Sequence, residues 1–327
     1  VMGKAVRYGA DEAYFAISPL MIFPKAFGRF RVYIRQAGQY VLYAPENEQF
    51  TPRHRQKLHD AGVAAVYIRG EQRPEYNDYI ESNLPHILED EAIPLPERAR
   101  VLYTSAEAVV RDVFECRLPT GIAKREYSRI TALVKRSLNF LARDESLKRI
   151  AALASHDYTV HTHNVHVFVY TTAILQAMKA DEATQVQAGI GALLHDIGKT
   201  HVPKDILSKP GPLTPEERLV INTHPAKGIA LCQEVQLSNT AAQCILMHHE
   251  RMDGSGYPAG LPGRLIPVHV RALCVADVYD ALTTTRSYAD SMPPFQALRL
   301  MRDEMADQLD MEVFKRLVII LSGANMI

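Results

Sequence analysis

The chain has 327 residues, more than one ordinary domain needs, so two domains are expected. Apolar residues at 47% and charged residues at 23% are globular values, which excludes a disordered or collagen-like chain. Lys+Arg and Asp+Glu balance at 37 each, which removes the bulk electrostatic case for a nucleic-acid polymer or an anionic membrane as partner. The most apolar stretch, Val165 to Met178, is too short for a bilayer and carries His166, so no membrane span is expected. The stretch Val1 to Ala10 lacks the apolar segment of a secretory signal. Cys116, Cys232, Cys244 and Cys274 sit in apolar contexts without a CxxC, which suits reduced core thiols in a cytoplasmic protein. Ten of the thirteen histidines follow residue 150, and the chemistry is expected there.

In chain order, Arg29 to Arg35 alternates charged and apolar residues as a half-buried strand does, and Gln36 to Gln39 reads as a turn. Gln39 to Tyr43 returns as a second strand. Thr51 suits an N-cap with Pro52 at the first helical position, Gly62 closes that helix, and Val63 to Ile68 is a third strand. The result is a ββαβ-like, α+β N-terminal domain over residues 1–95. From about Pro74 the chain turns helical. Ala99, Leu102, Ala106, Val109 and Val113 mark one amphipathic helix. Tyr127, Ile130, Leu133, Val134, Leu138 and Leu141 mark another, separated from it by Pro119, Thr120 and Gly121. These connecting helices span 96–148. They serve either as plain packing or as a dimerising, signal-passing stalk, which makes a homodimer through them or the N-terminal domain one expected partner. Residues 149–327 read as an all-α bundle with helices at 160–179, 183–195, 215–222, 224–234, 239–250, 268–282 and 293–307. The fold class expected is therefore mainly α.

Four histidine clusters stand out: His163; His195 with Asp196; His224; and His248 with His249, followed by Asp277. A vicinal His-Asp beside Leu193, Leu194 and Ile197 must be satisfied, because an unpaired buried carboxylate costs several kcal/mol, about the penalty for any poorly compensated buried ion. A divalent cation is the strongest counter-ion available. Imidazoles with carboxylates and no thiolate suit iron, manganese or zinc in a reactive rather than structural role. An Asp can bridge two such cations about 3.5–4 Å apart, the spacing used to activate water against a phosphate ester. The loop from His248 to Pro258 places Gly254, Gly256 and Tyr257 directly after a histidine pair.

These motifs resemble the HD-GYP family, metal-dependent phosphohydrolases of the HD superfamily that hydrolyse cyclic di-GMP. HDxGK is present as His195, Asp196, Ile197, Gly198 and Lys199, and HHExxDGxGYP is complete from His248 to Pro258. Between them Lys209 to Glu217 leads to His224 and Pro225. Beyond them Val275 to Thr283, with Arg286 and Tyr288, is similar to the family's DxxDALT…RxY segment. The resemblance covers about residues 150 to 322, and residues 1 to 145 match no sensor or receiver module.

The resemblance implies metal ligands at His163, His195, Asp196, His224, His248, His249 and Asp277, with Asp196 bridging. It implies phosphate contacts at Lys199 and Arg286 and a substrate pocket bordered by Gly256 and Tyr257. Asp196, Lys199 and Arg286 are the expected catalytic residues. Glu250 either orients a neighbouring histidine or serves the loop alone. The first ligand departs from the family's HSxxV setting: His163 keeps the downstream valine in step, His161 is its rival, and His166 falls outside the ligand set, as do His201 and His269. Three-metal members carry a Glu where this chain has Thr159, so two ions, iron or manganese, are expected rather than three, unless His156 or Asp157 substitutes. The activity implied is attack by a metal-bridging hydroxide on cyclic di-GMP, giving pGpG and with further cleavage GMP. The alternatives are a phosphodiesterase for a related cyclic dinucleotide and a catalytically weak or inactive receptor.

Overall fold

The computed structural model describes residues 13–23, 26–115, 121–153, 159–284 and 291–323. Outside them lie Cys116, the break at Pro119 and Thr120, His156, Asp157, Arg286, Tyr288 and the N-terminal residues 1–10. The chain divides into two compact units, Val1–Val101 and Leu102–Ile327.

The first unit is α+β. Its strands are β1 (Tyr14–Ile17), β2 (Val32–Gln36), β3 (Gln39–Ala44) and β4 (Val66–Arg69), ordered β1-β4-β2-β3 with antiparallel pairings throughout. The expected hairpin is present, Gln36 facing Gln39 across a two-residue turn in which Ala37 and Gly38 both have positive φ. Helix α1 (Pro52–Asp60) precedes β4, as the sequence implies, and α2 (Arg73–Glu89) starts with Pro74 in its first turn. Phe15, Phe30, Val32, Phe50, Ile68 and Ile87 form the core between sheet and helices. β1 is an addition to the expected ββαβ order; four residues are too few to show a period.

The second unit is helical. The elements are α3 (Leu95–Glu115, which begins in the first unit), α4 (Lys124–Leu141), α5 (Asp144–Leu153), α6 (Val160–Ala177), α7 (Glu182–Leu194), α8 (Lys204–Leu207), α9 (Pro215–Ile221), α10 (His224–Leu231), α11 (Asn239–Met247), α12 (Val268–Thr283), α13 (Pro294–Glu304) and α14 (Met311–Gly323). α5, α8 and α14 are not among the expected helices. α6 packs against α7, α12 and α14, and α7 against α11. Every residue of α6 from Thr162 to Leu175 is buried, and so is α12 from Val270 to Asp280 save Arg271. Helices enclosed on all sides have no polar face, so the polar residues along them must find partners inside the bundle. Among the described residues no helix is long and apolar enough to cross a membrane.

Candidate metal centre

Three helix ends deliver the imidazoles. α7 stops at Leu194, His195 caps it, and Asp196 turns the chain into a 3₁₀ segment over Ile197–His201. His224 opens α10, and His248 caps α11. Each of these rings places Nδ1 on the carbonyl three residues earlier: His195 on Ala192 at 2.7 Å, His224 on Ile221 at 2.8 Å and His248 on Ile245 at 2.9 Å. A carbonyl only accepts, so every Nδ1 carries the hydrogen and Nε2 is left to face the centre.

The backbone brings these ends together through Gly198. A Cβ at that position would lie 1.9 Å from the His224 carbonyl oxygen and 2.6 Å from Gly228 N. Only glycine lets the turn after Asp196 touch the start of α10, which is the physical content of the G in HDxGK.

Asp196 lies at the middle. Its Oδ1 is 3.3 Å from His224 Nε2 and 3.8 Å from His248 Nε2, while Oδ2 is 3.6 Å from His195 Nε2 and 3.8 Å from His163 Nε2. Burial opposes its ionisation, but Lys199, His195 and His224 hold its carboxyl well below the usual range. Lys199 Nζ is 2.6 Å from Oδ2. Asp277 projects from α12 to within 3.1 Å of His163 Nε2 and 3.9 Å of His249 Nδ1. Burial opposes its ionisation too, and the hydrogen bond from His163 outweighs it. Burial pushes His195 and His248 down and His249 down to about 3, keeping those rings neutral. His163 differs: burial works to lower it, but hydrogen bonds to Asp277 and Asp280 raise it to about 9.

The donor set fits a divalent cation. Donor atoms of Asp196, His224, His248 and His249 lie within 4.8 Å of one another, as do those of His163, His195 and Asp196. His195 Nε2 and Asp196 Oδ1 are buried with no hydrogen-bond partner. Ionised carboxylates and the bare nitrogens of the neutral His195, His248 and His249 rings, pointing at one space, are what such an ion takes.

All seven expected ligands therefore converge. His161 does not: its ring faces Phe114 at 5.7 Å. His201 and His269 also stay away, His269 pairing with Gln243. The Tyr257 ring lies 4.7 Å from that of His249, and its backbone N–H donates to the His249 carbonyl. Gly256 permits that approach, since a Cβ there would meet Arg251 N at 2.4 Å. Glu250 orients no histidine; it accepts hydrogen bonds from Ala259 N and Leu261 N, both at 2.8 Å, and pins the glycine loop. Arg286 lies outside the described residues. Two groups missed by the sequence reading are Asp280, which accepts from His163 Nδ1 at 2.6 Å, and His166, whose Nδ1 is 2.8 Å from the same carboxylate. The signal was available: His163 with His166 and Asp277 with Asp280 are matching i, i+3 pairs on two adjacent helices.

Comparison with known proteins agrees with this geometry. The model of the HD domain family matches residues 145–313. A cyclic di-GMP phosphodiesterase of Pseudomonas aeruginosa is 33% identical over 222 residues, covering 67% of this chain and 53% of that protein. A 3′3′-cGAMP-specific phosphodiesterase of Vibrio cholerae is 42% identical over 127 residues, covering 38% and 30%. The chain thus spans about half or less of the length of these curated relatives. The solved structure of an HDG"Y"P protein from Bdellovibrio bacteriovorus superposes with a TM-score of 0.67 at 21% identity, covering 95% of this chain and 100% of that one, a likeness of fold. The chain belongs to the HD domain family and carries the HDxGK and HHExxDGxGYP motifs of the HD-GYP group complete.

Proposed function

We propose that the chain is a metal-dependent phosphodiesterase that opens cyclic di-GMP to linear pGpG in the cytoplasm. One observation carries the reading: the two oxygens of Asp196 face different imidazoles, His224 and His248 on one side, His195 and His163 on the other. That is the arrangement in which one carboxylate serves two cations. His224, His248 and His249 would hold one ion, and His163, His195 and Asp277 the other. Iron or manganese suits this thiolate-free shell. Thr159, at the position of the extra Glu of three-metal members, spends its hydroxyl capping α6 through Thr162 N, which favours two ions over three.

Divalent cations held there would lower the pKa of bound water towards neutrality and neutralise phosphate charge. The chain's own residues do the rest. Lys199, one hydrogen bond from Asp196 Oδ2, is assigned a phosphate contact, and its charge needs no proton transfer to stabilise a phosphodiester in the transition state. Tyr257, packed on His249 and followed by the pinned loop, offers an aromatic wall for a base. Arg286 is assigned a second phosphate contact. No side chain is required to form a covalent intermediate.

The test is incubation of iron- or manganese-loaded protein with cyclic di-GMP and with 3′3′-cGAMP, followed by chromatography. Formation of pGpG supports the reading, and GMP would extend it. Turnover of 3′3′-cGAMP alone would move the assignment to the second substrate, the one named for the 3′3′-cGAMP-specific relative from Vibrio cholerae. Tight binding without turnover would make the chain a receptor. Residues 1–95 are assigned a regulatory or dimerising role, with 96–148 as the connection. Deletion of 1–95 that alters the rate at unchanged oligomeric state favours regulation, and loss of a dimer favours dimerisation.

A further inference from the structure

A continuous row of buried polar groups runs from α3 to the metal centre. Asp280 on α12 is 1% exposed and receives both rings of α6, His163 Nδ1 on Oδ2 at 2.6 Å and His166 Nδ1 on Oδ1 at 2.8 Å. Thr284 Oγ1 adds a third contact to Oδ1 at 3.2 Å. His166 is itself 2% exposed, and its Nε2 meets the Tyr103 hydroxyl of α3 at 2.9 Å, with the two rings 5.7 Å apart and nearly parallel.

The directions of these bonds follow from what each group can donate. A carboxylate accepts only, so His166 gives its Nδ1 hydrogen to Asp280, and its Nε2 shares a hydrogen bond with the Tyr103 hydroxyl. His163 likewise gives its Nδ1 hydrogen to Asp280, which turns its Nε2 toward Asp277 and Asp196. With one oxygen of Asp280 held by His166 and Thr284, the other is fixed in place for His163. Asp280 is enclosed in the bundle with these three groups on its oxygens, so they set its rotamer.

We propose that Tyr103 and His166 are positioning residues for the ligand His163, acting through Asp280. The inference rests on the metal-centre reading above and concerns one ion of the pair. Loss of the Tyr103 hydroxyl or of the His166 donor frees Asp280 to turn, and His163 then loses the partner that aims its Nε2. The ion on His163, His195 and Asp277 weakens, while the ion on His224, His248 and His249 does not.

The experiment is titration of the metal-free full chain with Mn²⁺ and, for its visible spectrum, with Co²⁺, on the parent and on Tyr103→Phe, His166→Leu and His166→Asn. Tyr103→Phe keeps the ring and removes one hydroxyl; His166→Asn keeps a short donor towards Asp280. The expected result is two binding steps in the parent. In Tyr103→Phe and His166→Leu one step weakens by about ten- to a hundredfold, the scale for partners that orient a metal-bound histidine. His166→Asn recovers most of that loss, and the Co²⁺ band of the weakened step changes while the other stays. Parental affinity for both ions in Tyr103→Phe, or equal weakening of both, overturns the proposal. Should His166→Leu fail to fold, Tyr103→Phe alone decides it. A parent that takes up no ion refutes the metal-centre reading itself, a result distinct from a parent with two ions and insensitive variants.

Discussion

His248 Nε2 lies 3.0 Å from His224 Nε2, and each ring has already given its Nδ1 hydrogen to a backbone carbonyl. Burial holds His248 neutral, so it presents a lone pair to its neighbour. Two imidazole nitrogens at that distance need a positive charge between them, whether a proton or a metal ion. Asp196 Oδ1, 3.3 Å from His224 Nε2, faces the same space. This contact explains why the helix ends at His224 and His248 are built with the same backbone device as His195: the protein fixes which nitrogen faces the ion before any ion arrives.

Gly198→Ala tests whether that assembly depends on backbone contact. The added methyl would sit 1.9 Å from the His224 carbonyl, so α10 must move. Overpacking of this kind costs about 1–3 kcal/mol. We expect a denaturant midpoint lowered accordingly, together with weakened metal uptake. Unchanged stability and metal content would show that the turn and α10 are not in the contact described.

Glu250→Ala separates the loop from the ligands. Removing the carboxylate leaves the N–H groups of Ala259, which is exposed, and Leu261, which is half-buried, without their acceptor, a loss of about 0.5–1.5 kcal/mol per hydrogen bond. Bound metal per chain should stay at the parental value, while KM for the dinucleotide rises more than kcat falls. Loss of metal in this variant would restore Glu250 to the role of orienting a histidine.

The thiols give a measurement that needs no metal. Burial pushes Cys232 and Cys274 up to about 12 and Cys244 higher still. A thiol whose folded pKa is raised stays protonated, and therefore unreactive, until the pH climbs through that value. At pH 8 a thiol reagent should label no more than one of the four cysteines in the native chain and all four after unfolding. Rapid native labelling of two or more would contradict the burial described.

Much of the centre was legible in the sequence because its residues come in adjacent pairs at helix ends. His195 with Asp196, and His248 with His249, are costly to bury without a shared ion, and that cost is visible without coordinates. The second row was not read. α6 and α12 are enclosed on all sides, so periodicity cannot say which neighbour each polar residue meets, and His166 passed as a residue outside the site. Asp280 and Tyr103 acquire meaning only once α3, α6 and α12 are seen to adjoin. Glu250 shows the converse: its place beside two histidines suggested them as partners, whereas the loop it precedes folds back and takes both oxygens. α14 was not among the expected helices although Val313, Phe314, Leu317 and Leu321 keep a helical period.

Asp196 is proposed to join two cations, and metal stoichiometry tests that proposal most directly. Elemental analysis of anaerobically purified protein, and of metal-free protein reloaded with Mn²⁺ or Fe²⁺, should return two ions per chain. Asp196→Asn should lose at least one ion, with hydrolysis of cyclic di-GMP down by about a hundred- to a thousandfold, the range for losing a key electrostatic group. A parent chain that takes up no ion, or an Asp196→Asn chain that keeps two ions and full activity, would contradict the account.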